Sequence, residues 1–471
     1  MDRLSVLDAE FLLLEDENSP MHIAGVCVFE NPPPPLVAFR SLLESKLHLI
    51  PRYRQCVRTV PLELGRPVWV DDQRFNIDYH LRHTALPAAG DDAELSRLMG
   101  RIMSQPLDHQ RPLWEAWLVE GLAGGRWALI FKVHHCMVDG IAGVGLLTVL
   151  LEAEATMKIA DPEPWAPAPE PLNRELILGA WRGLADDAFG LLRHAPERAA
   201  HPLDTFRSAI HTGEGFLRFA TKLLPARPSS IEGSIGPHRS WAHSSASLGD
   251  IASIRAVYGG TINDVILTAV TGGYRELLLS RGEDPDLAVV RSGIPVSVRR
   301  DADHDVADNE VSALLYELPV HLADPVERLA LIHDQMAELK VSHMTEAGEA
   351  LTSFGNLAPP MLVGPATRLA VRAERSVPQR VVNTVTTNVP GPQFPLYCLG
   401  REMLEYQPYV PISYGVRIGT AILSYNGQVF FGITGDYDTA SDVAVIADAA
   451  SAGIAELRDR ALTSSPPRKR R

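Results

Sequence analysis

The sequence predicts an α/β protein built from two mixed sheets, each packed with helices and joined by a long linker. Three observations carry that expectation. A chain of 471 residues is too long to be organised around one hydrophobic core. Apolar runs of strand length alternate with helix-period stretches twice, from about Ser5 to Glu154 and again from about Trp241, the pattern of sheets covered by helices. Between them, Asp161 to Pro171 holds five prolines, which neither a helix interior nor an inner strand tolerates. The expected divisions are an N-terminal domain over 1–160, a linker with connecting helices over 161–240, a C-terminal domain over 241–460 and a basic tail over 461–471.

Each element has its own signal. Ile23 to Phe29 is a short apolar run that reads as a buried strand, and Leu36 to Leu49 as an amphipathic helix. The segments 66–70 and 75–79 alternate polar and apolar residues as short strands do. Asp92 to Ile102 places Leu95, Leu98, Met99 and Ile102 on one helical face. Trp127 to Val133 is almost continuously apolar, as a central strand buried on both faces requires. A helix is expected after Gly140, its first turns kept slim by Ala142, Gly143 and Gly145. Beyond the linker, Ile177, Trp181, Leu184, Ala188 and Leu191 form a helical stripe read as a packing face, and Leu203 to Leu224 is also helix-prone. In the second half, Thr261 to Leu279 reads as a helix, Val289 to Val296, Val381 to Val389 and Ala421 to Ile433 as strands, and Ser441 to Leu457 as a closing helix.

Composition narrows the function. Hydrophobic residues make up 46% and charged residues 22%, ordinary for a globular protein. A formal net charge of −14 argues against a nucleic-acid binder, which needs a basic face. Four cysteines, Cys27, Cys56, Cys136 and Cys398, lack metal-ligand spacing and suggest a reducing, cytoplasmic compartment without a disulfide framework. No metal site is expected, because neighbours such as His134, His135 and Cys136 on an extended chain point to opposite sides. The first twenty residues carry acids within their apolar run, unlike a signal peptide. No apolar stretch reaches the roughly 18 residues of a membrane span, which leaves peripheral contact with a membrane or lipid droplet open. The terminal Arg468-Lys469-Arg470-Arg471 suits either a solvated end or anionic lipid.

The chemistry concentrates at Lys132-Val133-His134-His135-Cys136-Met137-Val138-Asp139-Gly140. This is an HHxxxDG pattern between a strand and a helix. An imidazole at a strand end can take a hydroxyl proton as the oxygen attacks a carbonyl carbon, which makes His135 the candidate base. Asp139 is either its catalytic partner or, as favoured here, a structural tie that fixes the loop through an arginine; Gly140 leaves room where a side chain would crowd the turn. No GxSxG elbow, phosphate-binding loop or GxGxxG occurs, so serine hydrolysis, nucleotide hydrolysis and hydride transfer lack support. Cys136 is the one nucleophile candidate, and on an extended strand it would face away from His135.

His134-His135-xxx-Asp139-Gly140 resembles the signature of the superfamily of chloramphenicol acetyltransferase, peptide-synthetase condensation domains and bacterial wax ester synthase/diacylglycerol acyltransferases. The companions are similar to the last family, in the style of actinobacterial triacylglycerol synthases. They are Leu4-Ser5 through Pro20-Met21-His22, Arg111-Pro112-Leu113-Trp114-Glu115, Ile235 to Arg239, Asn263-Asp264, Pro295 to Arg299, and Thr387-Asn388-Val389-Pro390-Gly391-Pro392. The resemblance implies two domains of the chloramphenicol acetyltransferase fold meeting across a tunnel. It also implies an acyl-CoA-dependent enzyme, with acyl-CoA as substrate and no cofactor, acylating diacylglycerol or a long-chain alcohol. By the same resemblance His135 is the base and His134 supports the loop. Asn263, Asp264 and Asn388 shape the acceptor side, although Asn263-Asp264 also reads as a helix cap and Asn388 as turn chemistry. Pro112, Leu113 and Trp114 pack the fold, and Arg299 is the candidate partner of Asp139. Two positions depart from the family pattern: Asp308-Asn309 stands where Gly-Asn is usual, and Thr387 where serine is commoner. The competing expectations are a condensation-like enzyme using carrier-bound thioesters and a non-catalytic lipid-binding or lipid-droplet protein.

Overall fold

The computed structural model describes residues 2–137, 147, 149–155, 159–182, 227–297, 311–341 and 381–464. In the first half these contain α1 (Val6–Leu14), β1 (His22–Phe29), α2 (Leu36–Lys46), β2 (Gln55–Arg58), β3 (Val68–Asp71), α3 (Ile77–His80), β4 (Leu81–Ala85), α4 (Asp92–Met103), β5 (Trp114–Glu120) and β6 (Trp127–His134). The second half supplies β7 (Glu232–Gly233), β8 (Arg239–Ser247), α5 (Leu248–Tyr258), α6 (Ile262–Ser280), β9 (Val290–Ser297), β10 (Val311–Leu318), α7 (Pro325–Val341) and β11 (Thr384–Pro390). It closes with β12 (Tyr397–Cys398), β13 (Arg401–Tyr409), β14 (Gly415–Val416), β15 (Ile418–Tyr425), β16 (Gln428–Asp436) and α8 (Ala444–Ser464).

Two six-stranded sheets result, ordered β12-β13-β1-β6-β5-β4 and β10-β9-β11-β15-β16-β8. Both are mixed: β4 runs parallel to β5 in the first, and β11 runs parallel to β9 and β15 in the second. The first sheet is completed from the far end of the chain. Strand β13 pairs antiparallel with β1, Ala24 opposite Tyr409 and Cys27 opposite Tyr406. Gly25 makes this pairing possible, since a Cβ there would lie 2.4 Å from the Tyr406 ring. The core follows the same crossover, for Phe29, Trp114, Trp127 and Phe131 share one cluster with Met403, Tyr406, Tyr425 and Phe430. In the second sheet, α6 lies between strands and α8, its Ile266, Val270, Tyr274 and Leu277 packed with Ile422, Phe431, Ile446 and Ile454.

Helix α4 wedges between the sheets. Its Leu98, Met99 and Ile102 pack with Val26 and Ile130 of the first sheet and with Trp241 of β8. Gly100 sits where a Cβ would be 2.6 Å from the Arg239 carbonyl, so only glycine permits this approach of helix to strand.

Two expectations need correction. Segment 75–79 is not a strand: Asn76 accepts from the Asp78 N–H at 3.0 Å and starts the single turn of α3, because an Asx cap outcompetes weak alternation. The helix beyond the linker buries Leu176 and Ala180 against Val60 and Val68, while Trp181 is 58% exposed. Its packing face is therefore one residue earlier than the predicted stripe, whose Leu184, Ala188 and Leu191 lie outside the described residues, as do 203–224. The proline-rich linker lies against the first half. Arg54 lies 4.9 Å over the Trp165 ring and the Ala168 N–H donates to Asp71 at 2.9 Å, which straps it along the first half.

Candidate active site

The site grows from the end of β6, a strand buried along its whole length. Main-chain bonds fix its last residues: His134 N–H donates to the Leu113 carbonyl at 2.9 Å, and His135 N–H to the Met21 carbonyl at 2.8 Å. The chain then tightens into a 3₁₀ turn over His135–Met137. The half-buried His135 ring stacks on Phe11 of α1, centroids 3.8 Å apart and planes 25° from parallel. An imidazole with its backbone tied and one face covered has few orientations open to it, which is what a proton acceptor needs.

Cys136 is in this turn and not on an extended strand, so the pointing-away reasoning from strand geometry does not apply. It is excluded as a nucleophile for a different reason. The thiol is buried among Leu4, Trp69, Leu107 and Leu113, and burial raises it above the usual thiol range.

His134 is fully buried. Its Nδ1 accepts from the Cys136 N–H at 3.1 Å, so the proton of the neutral ring sits on Nε2, 3.3 Å from Glu15 Oε2. Glu15, at the C-terminal cap of α1, is only 9% exposed in its side chain. Its Oε1 accepts from Met21 N–H at 3.1 Å and its Oε2 pairs with His109 Nε2 at 2.6 Å. Burial alone would raise the Glu15 carboxyl. The hydrogen bonds and charges of His109 and His134 outweigh it and hold the group well below the usual carboxylate range. In return, the bond to Glu15 raises His109, against the effect of its partial burial.

Glu15, His109 and His134 bring ligand atoms within 4.8 Å of one another, the one such cluster among the described residues. They do not fit a metal ion in this arrangement. A ligating imidazole donates its second nitrogen's N–H to a neighbour, whereas His134 Nδ1 is spent accepting one. Beside this cluster, Lys132 is buried and donates to the carbonyls of Ile102 (3.0 Å) and Gln105, and His22 Nε2 bonds the Met103 carbonyl at 2.8 Å. Both tie down the C-terminal end of α4, where carbonyls need donors. Burial pushes the Lys132 ammonium down to about 8.

The other predicted residues divide into groups. Leu113 and Trp114 are buried, with Trp114 Nε1 donating to the Tyr53 carbonyl at 2.8 Å; Pro112 precedes them, also buried. Asn263 opens α6 and accepts from Asn388 Nδ2 at 3.0 Å, joining α6 to the end of β11. Asp264 is 2% exposed, and its carboxylate is occupied by the Thr261 N–H (2.8 Å) and His333 Nδ1 (2.9 Å). It closes the capping box of α6 with Thr261. Asp139, Gly140 and Arg299 lie outside the described residues, as do 308–309 and 465–471 of the basic tail, whose first four residues belong to α8. Sequence reasoning missed the roles of Phe11, Glu15 and Met21, although all three fall within the N-terminal block, and it had no signal for His109.

Solved structures share this two-sheet organisation. A mutant of the starter condensation domain of rhizomide synthetase RzmA in complex with C8-CoA matches with a TM-score of 0.58 at 16% identity, covering 99% of this chain and 96% of that one. The wax ester synthase/diacylglycerol acyltransferase from Marinobacter aquaeolei VT8 matches with a TM-score of 0.71 at 24% identity, covering 98% of this chain and 100% of that one. These define the class: a two-domain α/β fold common to condensation domains and acyltransferases. Residues 4–266 match the wax ester synthase/diacylglycerol acyltransferase catalytic domain, and residues 307–458 the C-terminal domain of the same family. The chain is also 34% identical over 459 residues to the probable diacyglycerol O-acyltransferase tgs1 of Mycobacterium tuberculosis, covering 97% of this chain and 96% of that protein. It belongs to the wax ester synthase/diacylglycerol acyltransferase family.

Proposed function

We propose that this protein is an acyl-CoA-dependent O-acyltransferase that moves a long-chain acyl group onto the hydroxyl of diacylglycerol, making triacylglycerol, and that it also accepts long-chain alcohols. The observation that carries the reading is His135, tied through its backbone to Met21 and stacked on Phe11, within a segment matching the family's catalytic domain. A ring nitrogen of His135 takes the acceptor's hydroxyl proton as the oxygen bonds to the thioester carbonyl carbon. The tetrahedral intermediate collapses with cleavage of the carbon–sulfur bond, and the imidazolium returns the proton to the departing CoA thiolate. Acyl-CoA is consumed as a substrate, and the sequence of steps calls for no cofactor and no acyl-enzyme. Support for a CoA donor comes from the rhizomide synthetase domain, whose structure is a complex with C8-CoA. Diacylglycerol resides in lipid, so the enzyme meets its acceptor at a membrane or droplet surface; no helix among the described residues is long and apolar enough to cross a membrane.

The test is transfer from radiolabelled palmitoyl-CoA to diacylglycerol and hexadecanol in parallel, resolved by thin-layer chromatography. Wild type should yield labelled ester, and His135→Ala, at unchanged thermal stability, should lose at least about a thousandfold in rate. Near-normal turnover by a folded His135→Ala protein would refute the base assignment. Labelling only from carrier-bound thioesters would favour condensation chemistry instead.

A further inference from the structure

We infer that Glu15 is a positioning residue for His135, its carboxylate fixing Met21 and the His134 ring, the two groups between which the His135 backbone is held. The inference rests on the reading of His135 as the base. Two consecutive bonds carry it: Glu15 Oε1 accepts from Met21 N–H at 3.1 Å, and the Met21 carbonyl accepts from His135 N–H at 2.8 Å. The second carboxylate oxygen reaches His109 and His134. The same helix supplies the cover over the reactive ring, because Phe11, which stacks on His135, accepts the capping N–H of Glu15 through its carbonyl at 3.2 Å. Any shift of the end of α1 therefore reaches His135 twice, through its backbone and through its ring.

Charge matters here as well as shape. A carboxylate this buried costs desolvation and persists where cations and N–H donors face it. His109 and His134 face it directly, with Lys132 and His22 further off. Glutamine has the same shape and retains an acceptor for Met21, yet it offers a second, donating group to His109, which bonds the carboxylate, and to His134, 3.3 Å from it. Glu15→Gln should thus leave the fold intact and loosen the His134–His135 turn.

The test compares full-length wild type, Glu15→Gln, His135→Ala and the double variant, with palmitoyl-CoA and diacylglycerol. Glu15→Gln should lower kcat at least about tenfold while both KM values stay within about twofold, as expected for a misplaced reacting group. Added to His135→Ala, it should cost nothing further, because two residues acting through one group are non-additive. An unchanged kcat, or an equal loss in both backgrounds, overturns the proposal. A second readout needs no turnover. In histidine ¹³Cε1 NMR spectra, the signal missing from His135→Ala should move in Glu15→Gln while histidines outside the cluster hold still; if it does not move, the proposal fails. Should Glu15→Gln not fold, His109→Asn at a half-exposed position loosens the same carboxylate and must move the same signal. Wild type that transfers no acyl group would instead remove the base assignment, and the NMR shift would still decide the positioning.

Discussion

At the scale of single residues, His80 shows how much the fold spends on neutral imidazoles. It is buried, stacked on Trp114 with centroids 4.5 Å apart, and bonded through Nδ1 to the Trp114 carbonyl at 2.8 Å. Burial pushes its pKa down to about 4, the carbonyl bond opposing. Unfolded, the ring titrates near the ordinary value of about 6.5. Between these values the unfolded chain holds the extra proton, so stability is full above about pH 6.5 and falls as pH drops toward 4, by about 3 kcal/mol in total. Urea titrations across that range should show a shallower slope in His80→Asn, which keeps a donor near the same carbonyl, than in wild type, where buried His22 and His243 add to it. His135 was legible as a candidate because its pattern is contiguous in sequence, although Phe11 and Met21, which hold it, are distant in the chain. His109 was not: it meets Glu15 across 94 positions of chain, and nothing local marks such a partner.

Among the elements, α4 and β6 could be read from sequence because α4 keeps one helical period and β6 is apolar almost throughout. Helix α1 could not: VLDAEFLLL is apolar on most sides and gives no polar face to define the turn. The α4 periodicity identified its buried face without revealing that Gly100 must touch β8. Alanine there would gain about 1 kcal/mol of helix propensity. Its Cβ would nevertheless arrive 2.6 Å from the Arg239 carbonyl, a backbone atom that cannot swing away. Gly100→Ala should therefore lose about 1–3 kcal/mol net by chemical denaturation, with unchanged helix content by circular dichroism. A stabilised variant would show that α4 floats more freely on β8 than this packing allows.

At the scale of the whole molecule, two mixed sheets and a proline-rich break were legible, but the crossing strand was not. Strand order depends on contacts between distant segments, and Arg401–Tyr409 looks like any half-buried strand until its partner is known. Its side chains complete the first core, so residues 1–240 expressed alone should remain unfolded by circular dichroism. The intact protein should unfold in a single calorimetric transition. A folded fragment, or two separate transitions, would show that each half is self-sufficient.

The return of β13 to the first sheet also limits how members of this family can be recombined. A chimera that takes its catalytic half from one relative and its other half from another would seat a foreign Tyr406 against Gly25, where a single added carbon already collides. Productive hybrids should be those that transplant residues 397–409 together with the N-terminal graft, so that the splice points number three rather than one.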